Sequence, residues 1–213
     1  TGEPYIIYID TVNRLIPQHH KLANLTVKTS NLCSEITLPT GIDKDGNDRT
    51  AVCCLSSLNL EYFDAWSKDK RFLRDVLEML DNVLDSFIND APDAIARAKF
   101  SASRERSVGV GALGFHAYLQ RKGVPFESAL AKSANLRMFK HIRKGLDEAN
   151  RELGKERGEA PDAEGTGIRC SHIMAVAPNA SSSIIMGNTS PSIEPWRANA
   201  YRQDTISGSF LNK

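Results

Sequence analysis

Nine apolar residues, Phe72, Leu73, Val76, Leu77, Leu80, Val83, Leu84, Phe87 and Ile88, recur at three- and four-residue steps along one stretch of the chain. Side chains at that spacing share one face of an α-helix, which must lie against a core. Charged residues, Arg74, Asp75, Glu78 and Asp81, fill the other face. The pattern stops before Pro92, and proline disfavours helical backbone in the residue ahead of it, so the helix is expected to end near Asn89. Short apolar runs elsewhere read as strands: Tyr5 to Ile9 (YIIYI), Ala51 to Leu60, and His172 to Ala177 (HIMAVA). Another short apolar segment lies near Ile36 and ends at Pro39. Helices are also expected from Gly109 to Arg121 and from Ser128 to Gly154. Strands separated by long helices give an α/β fold class.

The connecting segments are polar. Arg14 to Ser30 is broken by Pro17, Gly41 to Asp48 (GIDKDGND) is turn-rich, and Arg157 to Gly167 reads as a loop. Asp43, Asp45 and Asn47 alternate as in a calcium loop. The glycine at its sixth position and the glutamate at its twelfth are missing, which argues against calcium. There is no internal repeat and no low-complexity tract.

Charge narrows the partners. The net charge is +1, so no general attraction to nucleic acid or to a membrane surface is expected. No apolar stretch approaches the roughly 20 residues of a spanning helix. TGEPYIIYID lacks the basic start and apolar run of a signal peptide, so the cytoplasm is the expected compartment. Cys33, Cys53, Cys54 and Cys170 form no C-x-x-C pair and sit near no histidines at zinc spacing. A metal site is therefore not expected, and buried free thiols are the plain reading. The chain begins at Thr1, in what reads as the lead-in to a strand, and stops at Lys213 after another apolar segment; a partial chain is expected.

Three segments could carry chemistry. Gly109, Gly111 and Gly114 (GVGALG) spell G-x-G-x-x-G, but the preceding SASRERSV is no buried strand and no βαβ unit surrounds the motif. Small residues that let helices pack closely explain it better than dinucleotide binding. Pro178 to Ser183 (PNASSS) follows an apolar strand and opens a helix. That is the setting either of an anion site built from free backbone N–H groups or of an ordinary N-cap. In Ser30 to Ile36 (SNLCSEI), Asn31, Cys33 and Glu35 alternate, and in an extended segment they would share one face. An amide can orient a hydroxyl, a carboxylate can take its proton, and sulfur can do radical or nucleophilic chemistry.

N-L-C-S-E followed by AVCCLSSLNL resembles the large subunits of ribonucleotide reductases. So do TGEPYIIYIDTVN, RSVGVGALGFHAYL and RCSHIMAVAPNASSSIIMGNTSPSIEP, in the same order and over nearly the whole chain. The resemblance implies a ten-stranded α/β barrel whose central finger loop carries the active cysteine. It implies that Cys33 is the transient thiyl radical that takes the ribose 3′-hydrogen, that Glu35 is the general base on the 3′-hydroxyl, and that Asn31 holds the substrate. Cys53 is implied as half of the reducing dithiol, and Asn179, Ala180, Ser181 and Ser182 as the substrate phosphate loop. Cys54 stands where relatives carry a polar or small residue, and adjacent cysteines would form a strained disulfide. The dithiol partner of Cys53 comes from an earlier strand of the family barrel.

Residues 1–213 are thus expected to be a partial catalytic barrel, without the family's N-terminal ATP cone, first barrel strands and C-terminal tail. The implied partners are a ribonucleoside diphosphate substrate, a small metal-containing radical-generating subunit, the remaining large-subunit segments, and a reductant of the thioredoxin or glutaredoxin type. No DNA or membrane partner and no cofactor bound by the chain itself are implied, and ATP and dNTP effectors would bind elsewhere. The flanking segments look more like the class I type than the cobalamin-dependent class, which shares Asn-x-Cys-x-Glu. A non-catalytic barrel piece, active only with complementary chains, is the remaining alternative.

Overall fold

The computed structural model describes residues 5–206 and 208–212; the lead-in expected at Thr1 and the end at Lys213 lie outside them. Two long helices form the scaffold. The first, α4 (Phe72–Asp90), buries Leu73, Leu77, Leu80 and Leu84, the stripe set by the three- and four-residue steps. The second, α7 (Ala129–Arg157), begins where the Ser128 hydroxyl accepts the N–H of Ala131 at 3.1 Å and so satisfies one of the helix's open donors. The two helices pack on each other. Gly145 permits the close approach, since a Cβ there would collide with Leu73. Asp81, assigned by spacing to the solvent face of α4, is fully buried instead.

Against these helices lies a parallel strand pair, β3 (Cys54–Asn59) and β4 (Val108–Leu113), in register from Cys54 opposite Val108 to Asn59 opposite Leu113. The segment from His172 to Ala175 runs along the other side of β4. It is joined through Val108 N–H to His172 O at 3.0 Å, Val110 N–H to Ile173 O at 2.9 Å, and a parallel bridge from Val110 to Met174. It is strand-like over these residues and shorter than the strand expected there. Alternation sets the two faces of β4. Val108, Val110 and Ala112 join the core with Leu77, Leu84, Met138, Ile142 and Leu146. Gly109 and Gly111 face the opposite way.

Two expectations are overturned. GVGALG is not the start of a helix from Gly109 to Arg121: its first residues are β4, and the helix, α6 (Phe115–Arg121), starts only after Gly114. The small residues therefore serve close contact between strands rather than between helices. A Cβ on Gly111 would sit 2.5 Å from the Ala175 carbonyl oxygen, and Gly114 turns the chain at φ +79. Nor is Tyr5 to Ile9 a strand. Tyr5 to Tyr8 are irregular and solvent-exposed, and Ile9 opens α1 (Ile9–Leu15). An isolated strand leaves its backbone groups without ladder partners, and none of the described strands lies beside this one.

The remaining elements are small. After Pro17 comes α2 (Gln18–Leu22). The turn-rich GIDKDGND segment is a hairpin of β1 (Gly41–Ile42) and β2 (Asp48–Arg49). Helices α3 (Phe63–Trp66) and α5 (Ala96–Glu105) flank α4 in the chain, and PNASSS opens α8 (Ala180–Ile185). A second hairpin, β5 (Tyr201–Thr205) with β6 (Gly208–Asn212), was not foreseen in the sequence. The layered arrangement is α/β. Among the described residues no helix is long and apolar enough to cross a membrane.

Candidate active site

The SNLCSEI segment is a turn, not an extended strand, and Asn31 closes it. Its N–H donates to Ile36 O at 3.2 Å, its Oδ1 accepts the N–H of Ile36 at 3.0 Å, and its carbonyl accepts the N–H of Ser34 at 3.1 Å. Ser34 takes the left-handed backbone, φ +64. The local bonds of Asn31 compete with any strand ladder and win. Alternation therefore does not place Asn31, Cys33 and Glu35 on one face: Cys33 stands exposed at the tip, while Asn31 and Glu35 are half-buried at the base.

Behind the turn is a cavity of about 450 Å³, whose walls include Asn31, Ile36, Leu38, Thr50, Cys53 and Leu55. Cys53, just ahead of β3, shares the face of Leu55, and Gly109 across the ladder leaves it room: a Cβ on that glycine would lie 3.3 Å from the sulfur. Burial pushes the Cys53 thiol up to about 12, with Cys54, Glu105 and Glu35 adding to the shift. Glu35 is thus close enough for its charge to act on Cys53, and its Oε2 is buried without a hydrogen-bond partner. Burial also raises the Cys54 thiol. The structure brings Asn31 and Cys53 to one cavity with Glu35 nearby, and leaves Cys33 outside its lining.

PNASSS is the expected turn from strand-like segment to helix. Asn179 does not cap α8 with its side chain. Its Nδ2 donates instead to Ala177 O at 2.7 Å and to Ala112 O at 3.3 Å, tying the loop to the end of β4. Ala180, Ser181 and Ser182 are exposed. The loop lies at the carboxyl ends of β3 and β4, where α/β sheets commonly bind ligands, whereas Cys53 lies at the amino end of β3. None of residues 179–182 lines the Cys53 cavity.

The other motifs are accounted for structurally. The Asp43 carboxylate of the calcium-like loop accepts the N–H groups of Asp45 at 3.0 Å and Asn47 at 2.9 Å and pairs with Arg49 at 3.0 Å. The Gly114 N–H, which a dinucleotide would need, is taken by Ser190 O at 2.7 Å. All four cysteines are free, and Cys170 is fully buried, as the plain reading had it. Among the described residues no group of three or more His, Cys, Asp or Glu could hold a metal ion.

Sequence reasoning missed two buried charge clusters. In one, Arg49 meets Asp43, Glu105 and Asp162 beside the imidazoles of His19, His20 and His172. In the other, Arg106, Arg157 and Arg169 converge on Asp81. No local pattern marks them, since each cluster draws members from segments tens of residues apart.

Comparison with known proteins gives the family. Residues 1–166 and 162–213 match the family model described as ribonucleotide reductase, barrel domain. The chain is 58% identical over 211 residues to the ribonucleoside-diphosphate reductase large subunit of Invertebrate iridescent virus 3, covering 99% of this chain and 33% of that protein. It is 47% identical over 212 residues to a putative large subunit of the same name from Frog virus 3, covering 98% and 36%. The alpha subunit of a class Id ribonucleotide reductase from Actinobacillus ureae superposes with a TM-score of 0.86 at 40% identity, covering 93% of this chain and 38% of that one. The chain thus spans about a third of the length of these relatives. With the family match running from end to end and a solved relative sharing the fold, the chain belongs to the ribonucleotide reductase barrel-domain family.

Proposed function

We propose that residues 1–213 form part of the catalytic barrel of a ribonucleoside-diphosphate reductase large subunit, a ten-stranded α/β barrel with Cys33 at the tip of its finger loop. The observation that carries this reading is the cavity shared by Asn31 and Cys53, with Glu35 within electrostatic reach of the thiol. A thiyl radical on Cys33 takes the 3′-hydrogen of the ribose. Glu35 accepts the 3′-hydroxyl proton, which helps expel water from C2′, and Asn31 orients the substrate. Cys53 then supplies hydrogen near C2′ and ends the turnover in a disulfide with a cysteine from another barrel strand. The backbone N–H groups of Asn179 to Ser182, at the turn into α8, receive the diphosphate.

In this reading the radical comes from a separate metal-containing small subunit, no cofactor is held by the chain, and ATP and dNTP effectors bind other parts of the large subunit. A dithiol protein of the thioredoxin or glutaredoxin type regenerates Cys53, and the compartment is the cytoplasm. Likeness to a class Id alpha subunit favours class I over the cobalamin-dependent class.

The exposure of Cys33 favours one added condition, that the radical site closes only against complementary polypeptide. The test is deoxynucleotide formation from a ribonucleoside diphosphate, with small subunit and dithiol reductant, by the 213 residues alone and together with the remaining large-subunit segments. Activity is expected only in the assembled form and is expected to vanish in Cys33→Ser, whose O–H bond is too strong for the radical to form there. Normal turnover by the Cys33 variant would end the proposal; activity of the 213 residues alone would remove the condition.

A further inference from the structure

Cys53 has a charged neighbour outside the proposed chemistry. Glu105 ends α5, just ahead of β4; the register that sets Cys54 opposite Val108, continued by one residue, sets Cys53 opposite Ser107, whose hydroxyl donates to Glu105 Oε2 at 3.4 Å. Its side chain is 3% exposed, and the charges around it do not balance. The buried Arg49 guanidinium serves three carboxylates: Asp162 at 2.5 Å, Asp43 at 3.0 Å and Glu105 at 3.6 Å. Arg104 adds a second cation, but on Asp162, at 2.9 Å. Glu105 is left with the longest of these pairings. Its Oε1 has no hydrogen-bond partner, and its Oε2 accepts from the Ser107 hydroxyl at 3.4 Å.

A carboxylate so buried and so weakly compensated favours its protonated form. Burial pushes Glu105 up to about 8, against the pull of Arg49. Its charge acts on Cys53 as well, adding to the rise that burial causes in that thiol. A thiolate at Cys53 beside an ionised Glu105 would place two like charges in one dry site.

The other groups facing this pair are Glu35, Cys54 and Cys170 on the Cys53 side, and Arg49, Arg104, Asp43, Asp162 and Ser107 on the Glu105 side. Beyond Ser107, whose Oγ lies 3.4 Å from His172 Nδ1, stand His172 and His20, 5.0 Å apart ring to ring, with His19 at 4.7 Å from His20. Burial lowers His172 to about 4 and His20 to about 3, so both are neutral where Glu105 changes charge.

We propose that Glu105 is a positioning residue for Cys53: the charge on its buried carboxyl sets how readily the Cys53 thiol ionises, and protonating Glu105 favours a thiolate there. The proposal rests on the reductase reading only for what the thiolate is used for, exchange with an external dithiol, in which the attacking or leaving sulfur must be a thiolate.

The experiment is the alkylation rate of Cys53 by iodoacetamide in the intact protein from about pH 6 to 11, resolved from Cys54 by fragment-mass analysis. The wild-type rate should climb about tenfold per pH unit and then break to a shallower rise near pH 8, where Glu105 ionises. In Glu105→Gln the break should vanish, and above about pH 9 the rate should exceed wild type by about tenfold, one unit of thiol pKa. Glu105→Asp should retain the break. Ser107→Ala, which removes the hydrogen bond favouring the charged form, should move it to higher pH and carries the test if Glu105→Gln does not fold. A Glu105→Gln profile superimposed on wild type, or a break unmoved in Ser107→Ala, would overturn the proposal. Alkylation does not depend on reductase turnover, so a failed reductase assay with the break intact would remove the proposed function and leave this inference standing.

Discussion

Replacing Asp81 by asparagine should be among the most damaging single changes to this fold. Asp81 is fully buried in the middle of α4 and accepts from Arg106 Nε at 3.0 Å, Arg157 Nη1 at 3.0 Å and Arg169 Nε at 3.1 Å. These guanidiniums come from the end of α5, the end of α7 and the approach to Cys170, so one carboxylate ties three distant parts of the chain to one helix. Arg106 also holds a left-handed backbone, φ +49, that an arginine does not favour, and its pairing with Asp81 offsets that strain. Removing the charge leaves the three guanidiniums with only the partly exposed Asp85 and Glu78 to pair with, and breaking a buried pair by removing one partner costs about 3–5 kcal/mol. With a slope of about 2 kcal/mol per molar urea, the unfolding midpoint of the intact protein should fall by about 1.5–2.5 M. The effect has a pH signature. Burial opposes ionisation of Asp81, but the arginines outweigh it and hold the carboxyl below its ordinary 3.8. Its contribution is therefore complete above pH 3.8 and is lost as pH falls through the lower folded value, so wild type and Asp81→Asn should converge only in that acid range. Urea titrations at pH 7 and in acid measure both. A loss under about 1 kcal/mol at pH 7 would show that Asp85, with solvent, compensates the arginines and that the cluster is no clasp.

Glu35→Gln in the assembled enzyme should leave substrate binding nearly unchanged and lower kcat by about 10²–10⁴, because the base is lost while the shape is kept; a KM effect without a kcat effect would contradict the assigned role. His20→Gln should flatten the acid limb of stability. The folded pKa of His20 is about 3 against 6.5 unfolded, so the unfolded chain binds the extra proton and wild-type stability falls with pH across that window, by roughly 1.4 kcal/mol per unit. Equal slopes in variant and wild type would refute this. Gly111→Ala should cost about 1–3 kcal/mol, read from the thermal midpoint, because its Cβ would meet the Ala175 carbonyl oxygen at 2.5 Å.

The sequence alone determined the parts of this protein whose signal is local. The apolar steps of α4, the serine that starts α7 and the turn into α8 follow from periodicity and capping, which involve residues within a turn or two of each other. The order of SNLCSE, AVCC and PNASSS was enough to carry the family, because residue types in a fixed order can be matched without knowing how the chain folds. Tertiary structure decided what depends on distant partners. GVGALG became a strand because β3 lies on one side of it and residues 172–175 on the other, which no count of small residues reveals. Tyr5 to Tyr8 had the composition of a strand but found no neighbour among the described strands to complete its backbone bonds. Asn31, Cys33 and Glu35 parted because the Asn31 side chain bonds Ile36 and folds the segment into a turn. Asp81 read as solvent-facing because the arginines that pay for its burial lie at positions 106, 157 and 169. Likewise Arg49 and Asp162, 113 positions apart, meet only when the chain closes, since a buried charge can choose its partner only from what the fold brings within reach.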